Sequence, residues 1–285
     1  YTLWDASQAR LIANAVNHAY AFKTKLVYLW FNRLNVNGEK VSFDFTDYVK
    51  TIASHTHSTF GEMLLASARH PAMLIYLNNY LNRVDDSKGI RPNEDYGREL
   101  MELHTLGITA GATSGPNSYT LEDVRAASRI MAGWTVTTTS SGRQFTFVPR
   151  FNPTGGKSLL GTSFADGEAG GIDFIHFLAA HPATAASIAK MLTVYFVSEN
   201  FGLDETKSLA QDLKASYMAS GGNLPRLYQE LVSHPSFWSA AAFRSKVNDP
   251  FQQVVKTLKA AGYTAANLNR RVLLSNHKEY AAAAA

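Results

Sequence analysis

Apolar residues recur at three- and four-residue spacing along most of this chain, which is the period of an amphipathic helix. WDASQARLIANAVNHAYAFKTKLVYLWFNRL, near the start, reads as two helices or one broken helix. FDFTDYVKTIASH and TFGEMLLASARHPAMLIYLNNYL continue the pattern, with Pro71 starting or kinking a helix. The same spacing returns in IDFIHFLAAH, PATAASIAKMLTVYFVSEN, DETKSLAQDLKASYMAS, LPRLYQELVSH and DPFQQVVKTLKAAG. The period drops to two in one place: WTVTTT and QFTFVPRF alternate around SSGR and predict a β-hairpin. NPTGGKSLLGTSFADGEAGG then predicts a long Gly-rich loop. The pattern therefore predicts a mainly α fold: a multi-helix single domain over residues 1–280 with a small β-hairpin. One helical half spans 1–133, the hairpin and loop span 134–170, and a second helical half spans 171–262, the two halves sharing one core. The five alanines at 281–285 carry no functional pattern.

Local signals sharpen two helix starts. In NEDYGRELMELHTLG, residues 93–107, Asn93 is placed to cap a helix, Glu94 and Asp95 fall in its first turn, and Gly107 follows its end. Before LEDVRAASRIMAGW, Thr120 and Asp123 have the spacing of a capping box. His70, His181 and His234 each precede a proline, a junction where an imidazole caps or packs.

Composition narrows the function. The 285 residues carry 46% hydrophobic and 18% charged side chains and a formal net charge of +4. The lysines and arginines are dispersed, which argues against a nucleic-acid partner. With no cysteine there is no disulfide, thiolate metal site or cysteine nucleophile. No apolar run reaches the roughly 18 residues of a membrane span. GGKSLLG lacks the first glycine of a phosphate loop, since Phe151 stands in that place.

The candidate chemistry concentrates in residues 93–107. At about 100° per residue, Glu94, Arg98 and Glu102 form one stripe, an i,i+4 ion-pair ladder. Glu99 lies on the same side, and His104 falls about 160° from Glu102 on a regular helix. No Glu-x-x-His pair of the helical di-iron kind is present, because Met101 and Thr105 fill its positions. The helix reads first as an ion-paired strut, and second as a carboxylate site in which Glu99 and Glu102 are completed by other segments. His55 and His57 would share a face only in an extended segment.

PNEDYGRELMELHTLGI, YTLEDVRAASRIMAGWTV, GGKSLLG and HPATAASIAKMLTVYFV, in that order, resemble an uncharacterised bacterial family known as domain of unknown function 1800. Its typical run is Asn-Glu-Asn-(Tyr/Phe)-Ala-Arg-Glu-Leu-Met-Glu-Leu-His-Thr-Leu-Gly, and the resemblance extends over about residues 20–260. It implies a mainly helical fold and an exported protein, often encoded beside a sulfatase- or phosphatase-like partner family, and implies no established reaction. Two departures stand out. Arg33 replaces a family histidine in LWFNRL, and Asn152 and Pro153 replace a family His-Asp pair, whereas Lys157 is kept.

These readings lead to an expected periplasmic, cell-surface or secreted protein, its signal segment either removed or lying outside the given sequence. Its expected role is binding or assembly without a complete catalytic site, the partner being another exported protein or a cell-surface polymer. The alternative is a hydrolase-like enzyme, metal-assisted in one form, acting on a secreted polymer such as a polysaccharide. In that case Glu99 and Glu102 are the catalytic carboxylates, and Arg98, His104, Lys157, Arg33 and Asn152 bind. No cofactor is expected in the first reading, and a divalent metal belongs to the second.

Overall fold

The computed structural model describes residues 12–16, 21–108, 118–240, 242–243 and 245–264. His18, His277, most of the segment 107–118 and the alanine tail lie outside the described residues. After a helical stretch at residues 12–16 come α1 (Ala21–Arg33), α2 (Phe45–His55), α3 (Phe60–Ala68) and α4 (Pro71–Tyr76). Helix α5 (Asp95–Glu99) runs directly into a π-helical turn, Leu100–Thr105. Helix α6 (Leu121–Ile130) leads into an antiparallel hairpin, β1 (Trp134–Thr139) and β2 (Gly142–Phe147), in the register Trp134↔Phe147. The remaining helices are α7 (Gly167–Ala180), α8 (Pro182–Phe196), α9 (Asp204–Ala219), α10 (Leu224–Ser233) and α11 (Pro250–Ala260).

The Gly-rich segment expected to be a loop contains a second hairpin, β3 (Lys157–Leu159) paired with β4 (Thr162–Phe164). Its two-residue turn places Leu160 at φ 49° and Gly161 at φ 74°, the positive angles of a primed hairpin turn. Three-residue strands are too short to establish a period of two. The Leu-Gly turn was the one available signal, and leucine is a poor advertisement for positive φ.

Side-chain caps fix the helix starts. Thr59 with Glu62 and Thr120 with Asp123 each form a complete capping box. The three His-Pro junctions behave alike: each Nδ1 accepts the backbone N–H two residues on, from Ala72, Ala183 and Ser236, all at 3.1 Å. His55 ends α2 and bonds the Thr51 carbonyl through Nδ1 at 2.8 Å, so His55 and His57 do not form an extended pair.

The main core joins Trp30, Tyr48, Phe60, Tyr96, Trp134, Phe174, Leu192 and Leu231, all fully buried, so it draws on segments from α1 to α10. Helix α8 packs along α9, α3 against α7, and α5 against α6. The α5–α6 approach is close at Gly97, where an added Cβ would stand 2.9 Å from the Ser128 backbone nitrogen. A separate small cluster packs Ile12, Ala15 and Val16 against Val254, Val255 and Leu258 of α11.

Candidate functional site

The motif helix starts one residue later than its sequence predicts, with Glu94 at the N-cap. Asn93 Oδ1 accepts the Asp95 N–H at 3.0 Å, and the Asn93 N–H is itself held by Asn82 Oδ1 at 3.0 Å. Glu94 accepts from Arg98 at 3.1 Å and from Arg125 at 3.2 Å. The ladder stops there, because among the described residues Glu102 forms no ion pair with Arg98. The cause is the π turn. Its i→i+5 bonding widens the helix, so residues five apart come to one side and the i,i+4 stripe is lost. Thr105 stabilises that turn by donating its hydroxyl to the Leu100 carbonyl at 2.6 Å.

Arg33, at the end of α1, closes the turn from outside. Its Nε donates to the His104 carbonyl at 3.2 Å, and one terminal nitrogen donates to the Thr105 carbonyl at 3.0 Å and to Ser187 Oγ at 2.7 Å. A fixed cation on unsatisfied helix carbonyls is favoured by both hydrogen bonding and the helix dipole. Burial lowers the guanidinium pKa to about 10, so Arg33 stays charged at neutral pH.

Two cavities meet at Arg33. An open cleft of about 680 Å³ lies between the end of the motif helix and α8. Arg33, Lys190, Lys214 and Glu102 supply its charge, and Leu103, Leu106, Ile108, Met191 and Val194 supply an apolar wall. A second cavity of about 340 Å³ lies behind it, lined by Asn32, Arg33, Asn35, Tyr76, Leu77, Glu99, Leu103 and His104. Arg33 and Leu103 are common to both. Glu102 also borders a smaller hollow of about 270 Å³ with Arg98 and Tyr119.

Electrostatics differ along these walls. Burial, followed by the neighbouring Glu102 charge, raises the Glu99 carboxyl above its ordinary pKa. Burial, aided by Arg33, brings the His104 imidazole down to about 3, so it is neutral at pH 7. Tyr119 is pushed up to about 12 by burial and by Glu102. The His104 side chain makes no hydrogen bond with the described residues, although it is only 4% exposed. Its ring meets the Tyr96 ring edge-on at 6.4 Å.

Asn152 and Lys157 do not join this group, contrary to the enzyme reading. Neither lines any of the three cavities. The Asn152 carboxamide donates to the Ile130 and Ala132 carbonyls at 3.1 and 2.8 Å, and its Oδ1 accepts from Gly167 N at 3.1 Å. It thereby ties the end of α6 to the start of α7. Lys157, 2% exposed, donates to Asn152 Oδ1 at 3.0 Å and to Asp166 at 2.6 Å. The enzyme reading expects Lys157 to bind. It closes onto Asp166, while Glu168 pairs with Arg69.

Sequence reasoning missed Asn32, Asn35, Ser187, Lys190, Lys214 and Tyr119. They are single polar residues on helices or in short connections, and only the tertiary contact of α1, α8 and α9 with the motif helix assembles them. That Glu99 and His104 border one cavity was concealed by assuming a regular helix.

Among the described residues, no three His, Cys, Asp or Glu side chains form a cluster able to hold a metal ion. No described helix is long and apolar enough to cross a membrane. Comparison with the curated proteins and with the solved structures finds no match. The family model described as "Protein of unknown function (DUF1800)" matches residues 2–282, essentially the whole chain, and the protein belongs to that family.

Proposed function

We propose that this protein is an exported binding component that holds an anionic, partly apolar segment of a surface or periplasmic partner in the cleft between the motif helix and α8. The carrying observation is the cleft's composition: Arg33, Lys190 and Lys214 converge above an apolar wall. Lys190 and Lys214 have no carboxylate partner among the described residues, and Lys190 lies 5.2 Å from the Phe201 ring centroid. Unpaired cations beside apolar surface favour a ligand that brings charge and some hydrocarbon. Asn152 supports a binding rather than a catalytic role, since the residue standing in place of a family histidine is occupied in holding α6. Export is part of this reading and rests on the family resemblance.

One observation favours the enzyme alternative: the raised Glu99 carboxyl lies within electrostatic reach of Glu102, an arrangement suited to acid–base chemistry. Binding and hydrolysis separate in one experiment. The protein is titrated with poly-L-glutamate, polygalacturonate and uncharged dextran, and the polymers are then sized. The binding reading expects the two polyanions to bind with strong salt dependence, and a Lys190→Glu/Lys214→Glu variant to lose that affinity, with polymer length unchanged. Equal affinity for dextran and the polyanions sinks it. Shortened polymer, abolished by Glu99→Gln, replaces it with the enzyme reading.

A further inference from the structure

The second cavity narrows the chemistry of the ligand. Its wall is polar and mixed in character. Glu99 can only accept hydrogen bonds when ionised, Arg33 can only donate, and the carboxamides of Asn32 and Asn35 do both. Asn35 is exposed and makes no side-chain hydrogen bond with the described residues. His104 is almost fully buried, has no hydrogen-bond partner among the described residues, and borders this cavity. A neutral imidazole offers one donor and one acceptor. The His104 ring borders the cavity, and a ligand group that both donates and accepts would match its one donor and one acceptor. A hydroxyl group is such a ligand. A carboxylate or phosphate is not, because Glu99 would repel it. The Tyr76 side chain and Leu103 add apolar surface of the sort on which a sugar ring rests.

The adjoining cleft asks for the opposite chemistry, anionic groups opposite Lys190 and Lys214. The two cavities share Arg33 and Leu103, so one chain can run from one into the other. We infer that the ligand is an acidic polysaccharide, with a hydroxyl-rich ring seated against Asn35, Glu99 and His104 and the carboxylate of a neighbouring uronate held by Arg33, Lys190 and Lys214. This rests on the binding function proposed above and specifies its ligand class. An acidic peptide would satisfy the lysine cleft but brings no hydroxyl array to the Glu99–His104 wall.

The test is isothermal titration with a defined-length oligogalacturonate and with poly-L-glutamate matched in charge. It uses the wild type, Asn35→Ala, His104→Gln and Lys190→Glu/Lys214→Glu. Asn35 is an exposed residue, so its variant keeps the fold, and circular dichroism checks each protein. The expected result is that oligogalacturonate binds at least about tenfold more tightly than poly-L-glutamate. Asn35→Ala should reduce that advantage severalfold without weakening poly-L-glutamate, while the double lysine variant should weaken both. Equal affinities, or an advantage untouched by both Asn35→Ala and His104→Gln, overturn the polysaccharide assignment and leave the anionic cleft standing. Failure of both polyanions to bind removes the proposed function and this inference with it.

Discussion

At the scale of single residues, the buried polar groups set the clearest expectations. His104 is neutral in the folded protein down to about pH 3, whereas an unfolded histidine takes its proton near pH 6.5. Above pH 6.5 both states are neutral and His104 adds no pH dependence. As pH falls below that value only the unfolded chain protonates, so folding stability declines toward pH 3 by at most about 1.4 kcal/mol per pH unit. His104→Gln should therefore shrink the difference between urea midpoints at pH 7 and pH 5, whatever it does to stability at pH 7. His70 and His181, also held low by burial, keep part of the slope in the variant. Lys157 and Asp166 give an asymmetric pair, 1% and 44% exposed at their side chains. Asp166→Ala strands a buried ammonium with Asn152 as its remaining partner and should destabilise the fold. Lys157→Met leaves Asp166 to water and should cost clearly less, which thermal melts of both variants would show. Gly97→Ala would press a methyl group toward the Ser128 backbone and should cost roughly 1–3 kcal/mol. Ser128→Ala in the same chain should recover part of that loss, because the Ser128 hydroxyl is the nearest atom.

At the scale of elements, the π turn decides what the motif does. Thr105→Val removes the hydroxyl bond to the Leu100 carbonyl at near-constant volume, and about 1 kcal/mol of stability should go with it in chemical denaturation. Most elements were legible from the chain. The capping box at Thr120, the alternation in β1 and β2, and the three His-Pro junctions are local, and local chemistry is what a sequence displays. The π turn was not legible. Its sequence, LMELHT, has the apolar spacing of an ordinary helix, and its widening is held in part by a residue far away, Arg33. The same limit hid the site. Glu99, Glu102 and His104 could be named from the motif, but that Glu99 and His104 share one cavity while Glu102 borders two others follows from helix geometry and from α8. Lys157 and Asn152 were read as binding residues from their places in the family motif, one kept and one replacing a histidine. Here a hairpin turns them inward to join α6 to α7.

At the scale of the whole molecule, hydrophobic packing divides unequally. The main core holds residues from α1 to α10, while α11 is buried through a small cluster with Ile12, Ala15 and Val16. The stacked Tyr28 and Phe251 rings, 4.6 Å apart, link α11 to α1. Little apolar area secures α11, so it should open locally at lower free energy than α8. Native-state hydrogen exchange would show α11 amides exchanging before those of α8. Equal protection would mean that the two unfold as one cooperative unit.

The π turn also has a consequence for how this protein can vary. Between Glu99 and Leu106 the chain works as a ruler: the two ends of the turn are pinned, and the spacing sets which side chain meets which cavity. A change of residue type there alters one wall. Loss of one residue would tighten the turn to a regular helix, rotate Leu103 and His104 away from their places, and withdraw the His104 and Thr105 carbonyls from Arg33. Substitution is therefore graded across this segment, but a change of length is all-or-none.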